Sequence, residues 1–381
     1  MIEVFLGSVL LVAYTYVGYP LLIFLWGKLR GRPYFSDIDY APPVTVIVAV
    51  HDEEQVIREK IKNLLASHYP KDQLEVLIAS DGSSDRTVVL AHTIDDERLR
   101  VLEFSTRAGK IGTVEKAVNE ARGEFLVLTD ANAFFAPDTI RQLIAPFADR
   151  SVGCVCGAKN IQADGARALS ADQDEGTYWR YENFIKSSET LSGSCVGADG
   201  SVYAVRKALF PNIPKNRLLM DDLFVSLMIV MDGYRCIFVP EARAFEPASS
   251  SRGVEFARKA RILAGSIGVV RTIPGLLRSS FGWRMVSHKL LRWMTGVFMV
   301  LAFVSSSQLT DIPLLALLFA VQILFYGAAL VGMVLDRFDR PLPLFTQAYY
   351  FTLTVAAQVW GVLVYRRDGR TPHWDNLRSQ G

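Results

Sequence analysis

The chain has 381 residues, half of them hydrophobic, and a formal net charge of +2. Near-neutral charge leaves no nucleic-acid footprint, and the length allows a sizeable core plus membrane-like segments. The four cysteines, Cys154, Cys156, Cys195 and Cys236, lack zinc-type spacing and read as reduced core or strand thiols.

Val4 to Trp26 carries no charge and is long enough to cross a hydrocarbon layer of about 30 Å. A cleaved leader calls for a basic start and a shorter apolar core. Here Glu3 precedes the run, and Lys28, Arg30 and Arg32 follow it. A retained anchor over residues 1–30 is expected, with its N-terminus outside and the next segment cytosolic.

Residues 31–265 read as α/β. Val44–Val50 is a buried-strand run, and Asp52–Leu65 has helical apolar spacing behind an acidic start. Strands follow at Leu74–Ala79, Leu99–Phe104, Glu124–Leu128 and Ser151–Gly157. Helices are expected at Asp85–Thr93 and Gly112–Ala121, and a further one starts near Asp221. Strands alternating with helices predict a doubly wound, mostly parallel sheet.

Polar residues sit where such a sheet binds ligands, at the carboxyl ends of strands. The apolar run Phe125–Thr129 ends in Asp130-Ala131-Asn132, hard oxygen ligands suited to Mg²⁺ or Mn²⁺ carrying a diphosphate. An Asx turn closing a strand explains the same string structurally. Asp81-Gly82-Ser83-Ser84-Asp85 offers a carboxylate to a nucleobase N–H, or is simply a strand–turn–helix cap. His51 and Asp52 close the first strand beside it. Lys110 precedes a helix and either balances phosphate charge or is solvated, since Walker spacing is absent. Asp221-Asp222 either caps a helix or supplies a general base. Arg258 and Arg261 share a helix face and either clamp a diphosphate or form a juxtamembrane basic patch.

Residues 266–289 read as an interfacial amphipathic segment, and 290–381 as a membrane region and tail. The apolar runs are Leu290–Val304, Ile312–Leu335 and Leu344–Val364. Arg284, His288, Lys289 and Arg292 argue for a cytosolic start. Three full crossings would then put Arg366, Arg367 and Arg370 outside, against the positive-inside tendency; the alternative is a re-entrant or interfacial segment.

In order, Pro43–Glu54, Ala79–Asp85, Gly109-Lys110, Thr129–Asn132, Met220–Asp222 and Arg258–Arg261 resemble glycosyltransferase family 2. The likeness is strongest to its membrane-embedded branch, the cellulose, hyaluronan and poly-N-acetylglucosamine synthases, and covers residues 42–265. It implies a GT-A fold with one N-terminal and about three C-terminal transmembrane helices. It also implies an inverting hexosyl- or N-acetylhexosaminyltransferase, a nucleotide-sugar donor (a UDP-sugar by analogy) and Mg²⁺ or Mn²⁺. Carried over by position, Val50, His51, Glu53, Asp81, Lys110, Asp130, Arg258 and Arg261 meet the donor. Asp130 and Asn132 hold the metal, Asp222 is the catalytic base with Asp221 beside it, and Gly197-Ala198-Asp199-Gly200 faces the acceptor.

The resemblance further implies a glycan or lipid-linked acceptor, a lipid bilayer, assembly partners of a polysaccharide export system and no nucleic acid. It places an integral protein in the inner or plasma membrane with its catalytic domain cytosolic. Departures from the family pattern are Asn132 for an aspartate, Asp221 for a glutamate, Asp199 for an asparagine, and His51-Asp52 for Tyr-Asn. Arg258 and Ile262 replace the Gln and Trp of the processive Gln-x-x-Arg-Trp motif. Single addition to a lipid-linked acceptor therefore stands beside polymer synthesis, and a non-catalytic nucleotide-sugar sensor is a further alternative.

Overall fold

The computed structural model describes residues 1–162, 168–247, 251–338, 340 and 342–368, without the side chains of 162, 168–177 and 368. Arg370 and the rest of the expected tail lie outside the described residues.

The strands are β1 (Val44–Val50), β2 (Leu74–Asp81), β3 (Leu99–Phe104), β4 (Phe125–Thr129), β5 (Phe134–Phe135), β6 (Val152–Gln162), β7 (Tyr203–Arg206) and β8 (Arg235–Pro247). They form one sheet in the order β3-β2-β1-β4-β7-β6-β8-β5. β1 pairs in parallel with β2 and β4, and β2 with β3; β7 runs antiparallel to its neighbours β4 and β6, and β5 antiparallel to β8. The apolar runs at β1, β2 and β4 follow from burial on both faces. Ile47, Leu77, Leu126 and Leu128 pack into one apolar layer, and Val46, Val48, Ile78 and Val127 into the other.

Soluble-side helices are α3 (Ile57–Leu65), α4 (Thr87–His92), α5 (Gly109–Glu120), α6 (Thr139–Ile144), α7 (Ala168–Leu191), α8 (Asp221–Met231) and α9 (Arg252–Thr272), following the N-terminal α1 (Ile2–Ala13) and α2 (Tyr19–Leu29). α3 begins five residues later than its apolar spacing suggested. Asp52 lies at φ +53, and its Oδ1 accepts from Ser84 N at 2.7 Å and Asp85 N at 3.3 Å. The acidic stretch is thus spent on tying two loops together. β6 runs on to Gln162 because its second half pairs with β8.

The short helices α10 (Gly282–Met285) and α11 (Leu291–Trp293) precede α12 (Thr295–Ser307), α13 (Pro313–Arg337) and α14 (Pro343–Asp368). Ile2–Leu29, Pro313–Arg337 and Pro343–Arg367 are long and apolar enough to cross a membrane. Gly282–Trp293 and Thr295–Ser307 meet at 58° and together make a fourth, broken candidate. The segment expected at 266–289 begins inside α9, which continues to Thr272. Nor do Arg284, His288 and Arg292 flank a span in solvent: all three are buried. Arg284 donates to the carbonyls of Glu189, Ser192 and Ser194 at 2.8–3.1 Å, and His288 Nδ1 lies 2.8 Å from Glu189 Oε1. Tyr19 of the N-terminal helix donates to the same Glu189 oxygen at 2.5 Å.

Candidate active site

The parallel register brings the ends of β1, β2 and β4 to one edge, with Val48 level with Thr129 and Val50 level with Ser80. Val50 is buried there, and His51 Nδ1 lies 2.9 Å from Asp81 O. Glu53 N donates to Thr87 Oγ1 at 2.7 Å. Asp81 is fully buried and spends both oxygens on the turn before α5, accepting from Ala108 N at 2.6 Å and Gly109 N at 2.9 Å.

The turn delivers Lys110 to the centre of the site. Its Nζ lies 3.0 Å from Asp130 Oδ1 and 3.6 Å from Asp221 Oδ2. Burial opposes the charge on Lys110, but the two carboxylates outweigh it and hold the ammonium above its ordinary range. Asp130 is likewise pushed up by burial, yet Lys110 and Lys159 hold it below the ordinary carboxylate range.

Asp130 and Asn132 sit on the turn after β4. The Asn132 side chain is buried, and its Nδ2 has no hydrogen-bond partner among the described residues. Beneath the turn, the fully buried Lys60 of α3 donates to Thr129 Oγ1 at 3.0 Å and to Ala133 O, and its Nζ sits 4.5 Å from the centre of the Phe135 ring. Burial pulls Lys60 down to about 7. The Asp130 carboxylate and the Asn132 amide oxygen, carried on this braced turn, are hard oxygen donors of the kind a divalent cation takes.

Asp221 and Asp222 open α8 and are both buried. Asp222 Oδ1 accepts from Leu223 N at 2.7 Å. Burial, with Asp221 and Asp199 nearby, pushes the Asp222 carboxyl up to about 7. The Gly197–Gly200 loop lies against it: a Cβ on Gly200 would stand 3.2 Å from Asp222 Oδ2. Ala198 N donates to Ser226 Oγ at 3.1 Å, and Asp199 Oδ1 accepts from Ser201 N at 3.1 Å and Ser201 Oγ at 2.6 Å. Below the loop, Cys195 Sγ lies 3.8 Å from Cys156 Sγ and 3.5 Å from Cys236 Sγ; all four cysteines are free and buried.

Two cavities meet here. One, of about 450 Å³, is lined by Arg107, Lys110, Lys215, Arg217, Asp221 and Arg261. The other, of about 330 Å³, contains Asp130, Asp222, the 197–200 loop and Arg258. Lys110, Met220, Asp221 and Arg261 line both. Arg258 and Arg261 thus part company despite sharing a helix: Arg261 spans the junction, whereas Arg258 lines the inner cavity and pairs with Glu255 at 2.8 Å.

Sequence reading missed Lys60, Lys186 and the buried Lys159–Glu246 pair at 2.6 Å. Lys60 was detectable as a lysine on the apolar stripe of Ile57, Ile61 and Leu64. Lys159 and Glu246 come together only through the pairing of β6 with β8.

Comparisons with known proteins bear on the fold and on the family. Residues 45–210 match the family model described as Glycosyl transferase family 2. The chain is 28% identical over 220 residues to a beta-monoglucosyldiacylglycerol synthase of Nostoc sp., covering 55% of this chain and 47% of that protein. It is 23% identical over 242 residues to a poly-beta-1,6-N-acetyl-D-glucosamine synthase of Staphylococcus aureus, covering 62% and 58% respectively. The chain spans about half the length of the curated relatives it matches. A mannosyltransferase from Pyrobaculum calidifontis, solved with GDP-Man and Mn²⁺, aligns with a TM-score of 0.73 at 25% identity, over 96% of this chain and 99% of that one.

Proposed function

We propose that this chain, whose residues 45–210 match the model of glycosyltransferase family 2, transfers a sugar, with inversion, from a nucleotide-sugar to an acceptor hydroxyl at a membrane face. The observation that carries this reading is the junction of the two cavities at Lys110, Asp221 and Arg261, with Asp222 just inside it. The outer cavity takes the nucleoside, the junction its diphosphate, and the inner cavity the acceptor.

Lys110 and Arg261 bind the diphosphate, and Asp130 and Asn132 hold Mg²⁺ or Mn²⁺, which when bound supplies positive charge to the departing phosphate. Asp222 takes the acceptor's hydroxyl proton. The freed oxygen forms its bond to the anomeric carbon from the face opposite the phosphate. The bond from that carbon to the phosphate oxygen breaks, and its electron pair leaves with the nucleoside diphosphate. A pKa raised towards neutrality suits this base, because a weakly basic carboxylate would be a poor proton acceptor.

Of polymer synthesis and single addition, the site favours single addition. Ile262 lines the inner cavity where the processive motif has its tryptophan, so α9 offers the acceptor no aromatic platform there. UDP- and GDP-sugars are both donors to be tested, since the solved neighbour holds GDP-Man. The catalytic domain is placed on the cytosolic side, where such donors are made.

The test is a donor screen on the full chain in nanodiscs with Mg²⁺ or Mn²⁺, with and without lipid extract, followed by mass spectrometry of the product. Metal-dependent release of nucleoside diphosphate and a product one sugar heavier are expected. A ladder of long products would replace single addition by polymerisation. Donor binding without turnover on any acceptor would leave only the sensor reading.

A further inference from the structure

Beyond Asp222 the inner cavity continues to a wall that the proposed transfer does not use. α7, the bent α10–α11 segment and α14 build it, and it gathers Trp179, Lys186, Lys289, Arg292, Thr354 and Gln358. Several of its polar atoms are buried without a partner among the described residues. They are Trp179 Nε1, Nε and Nη2 of Arg292, Thr354 Oγ1 and Gln358 Oε1. Arg292 gives only Nη1 to Glu182, at 2.7 Å, and Lys289 takes the other oxygen of that carboxylate at 2.7 Å.

Lys186 is the decisive residue. It is 4% exposed and lines the cavity, yet it makes no ion pair among the described residues; the contact described for its Nζ is the Phe238 ring, 5.8 Å away. Water would answer the neutral atoms, but it does not replace a counter-charge for a buried ammonium. Glu182 is already shared by Lys289 and Arg292. Burial opposes the charge on Lys186, but Cys156, Asp199 and Glu182, in that order, hold its ammonium above the ordinary range; none of them pairs with it directly among the described residues, and Asp199 also faces Lys159. The wall therefore has surplus positive charge and unused donors, which together call for an anion with several acceptor oxygens.

The same wall says how that anion arrives. Thr354 and Gln358 belong to α14, one of the helices long and apolar enough to cross a membrane. Both residues lie near the middle of α14, so an anion held there is within reach of a lipid that enters along that helix.

We propose that this wall binds the phosphate or diphosphate of a lipid-linked acceptor, with Lys186 as its principal counter-charge and Arg292 and Trp179 as donors. The proposal rests on the inner cavity being the acceptor side. It narrows the acceptor from glycans in general to sugars joined to lipid through phosphate, and excludes neutral glycolipids as the preferred substrate.

The test is binding of farnesyl diphosphate to the full chain in nanodiscs, by native mass spectrometry, with the outer cavity saturated by GDP or UDP plus Mn²⁺. Farnesyl phosphate, farnesol and inorganic pyrophosphate are the comparison arms. Farnesyl diphosphate or farnesyl phosphate should bind at least about tenfold more tightly than farnesol. Lys186→Met should erase that ratio and Lys186→Arg retain it, with nucleotide affinity unchanged in both. Equal binding of farnesol overturns the proposal, as does a Lys186→Met protein that keeps the ratio. Inorganic pyrophosphate binding as tightly as farnesyl diphosphate overturns the lipid assignment. Failure of GDP and UDP to bind with Mn²⁺ is a separate result and overturns the underlying donor reading instead.

Discussion

Replacing Asp222 by Asn removes the proton acceptor while keeping a helix-starting side chain of the same size. Turnover should fall by about 10²–10⁴-fold with nucleotide affinity retained, measured by nucleoside-diphosphate release and by titration. Asp222 works as a base only when ionised, and its carboxyl is pushed up to about 7. The kcat/KM of the wild type should therefore rise with pH through about 7 and level off above it. Asp199→Asn removes one of the negative neighbours that raise Asp222, so its limb should move to lower pH. A wild-type limb in the ordinary carboxylate range would mean that Asp222 is not the group being titrated. At the metal corner, Asp130→Ala should abolish metal-dependent activity, while Asn132→Asp, which adds charge to the same oxygen pair, should be tolerated. Equal loss in both would remove Asn132 from the ligand set.

At the scale of elements, α9 is held where it is by a close approach. A Cβ on Gly361 of α14 would lie 2.7 Å from Ala260 O and 2.9 Å from Leu263 Cβ, so only glycine lets these helices touch. Gly361→Leu should displace the helix that carries Arg258 and Arg261, and so weaken both nucleotide binding and turnover without touching either site directly. Unchanged nucleotide affinity in a folded Gly361→Leu protein would separate α14 from the site. The elements also show what sequence patterning conveys. β1, β2 and β4 were legible because burial on both faces leaves a continuous apolar run, and their polar endings identified the edge that binds ligands. The start of α3 was not, because acidic residues that suit a helix N-terminus here bond to Ser84 and Asp85. The division of labour between Arg258 and Arg261 was also hidden, since it depends on where α9 crosses the two cavities. Lys186 and Glu246 were out of reach because what they face is set by long-range packing.

At the scale of the whole molecule, the membrane-like helices and the sugar-transfer domain share buried polar contacts. Glu189 of α7 meets Tyr19 and His288, and Glu182 meets Lys289 and Arg292. A chain cut to residues 31–265 loses Tyr19, His288, Lys289 and Arg292 together and exposes both carboxylates and the surface these segments cover. Such a fragment should not unfold cooperatively, and calorimetry or hydrogen exchange checks this. The same contacts impose an order on the molecule's own synthesis. α7 is made roughly a hundred residues ahead of the basic groups that complete it, about 5–20 s at ordinary elongation rates. During that interval its acids wait in a half-built domain. Nascent chains arrested before Arg284 should be cut readily by protease within α7, and chains arrested once Arg292 has left the ribosome should resist. The proposed transfer would then begin only after the last third of the chain has been made.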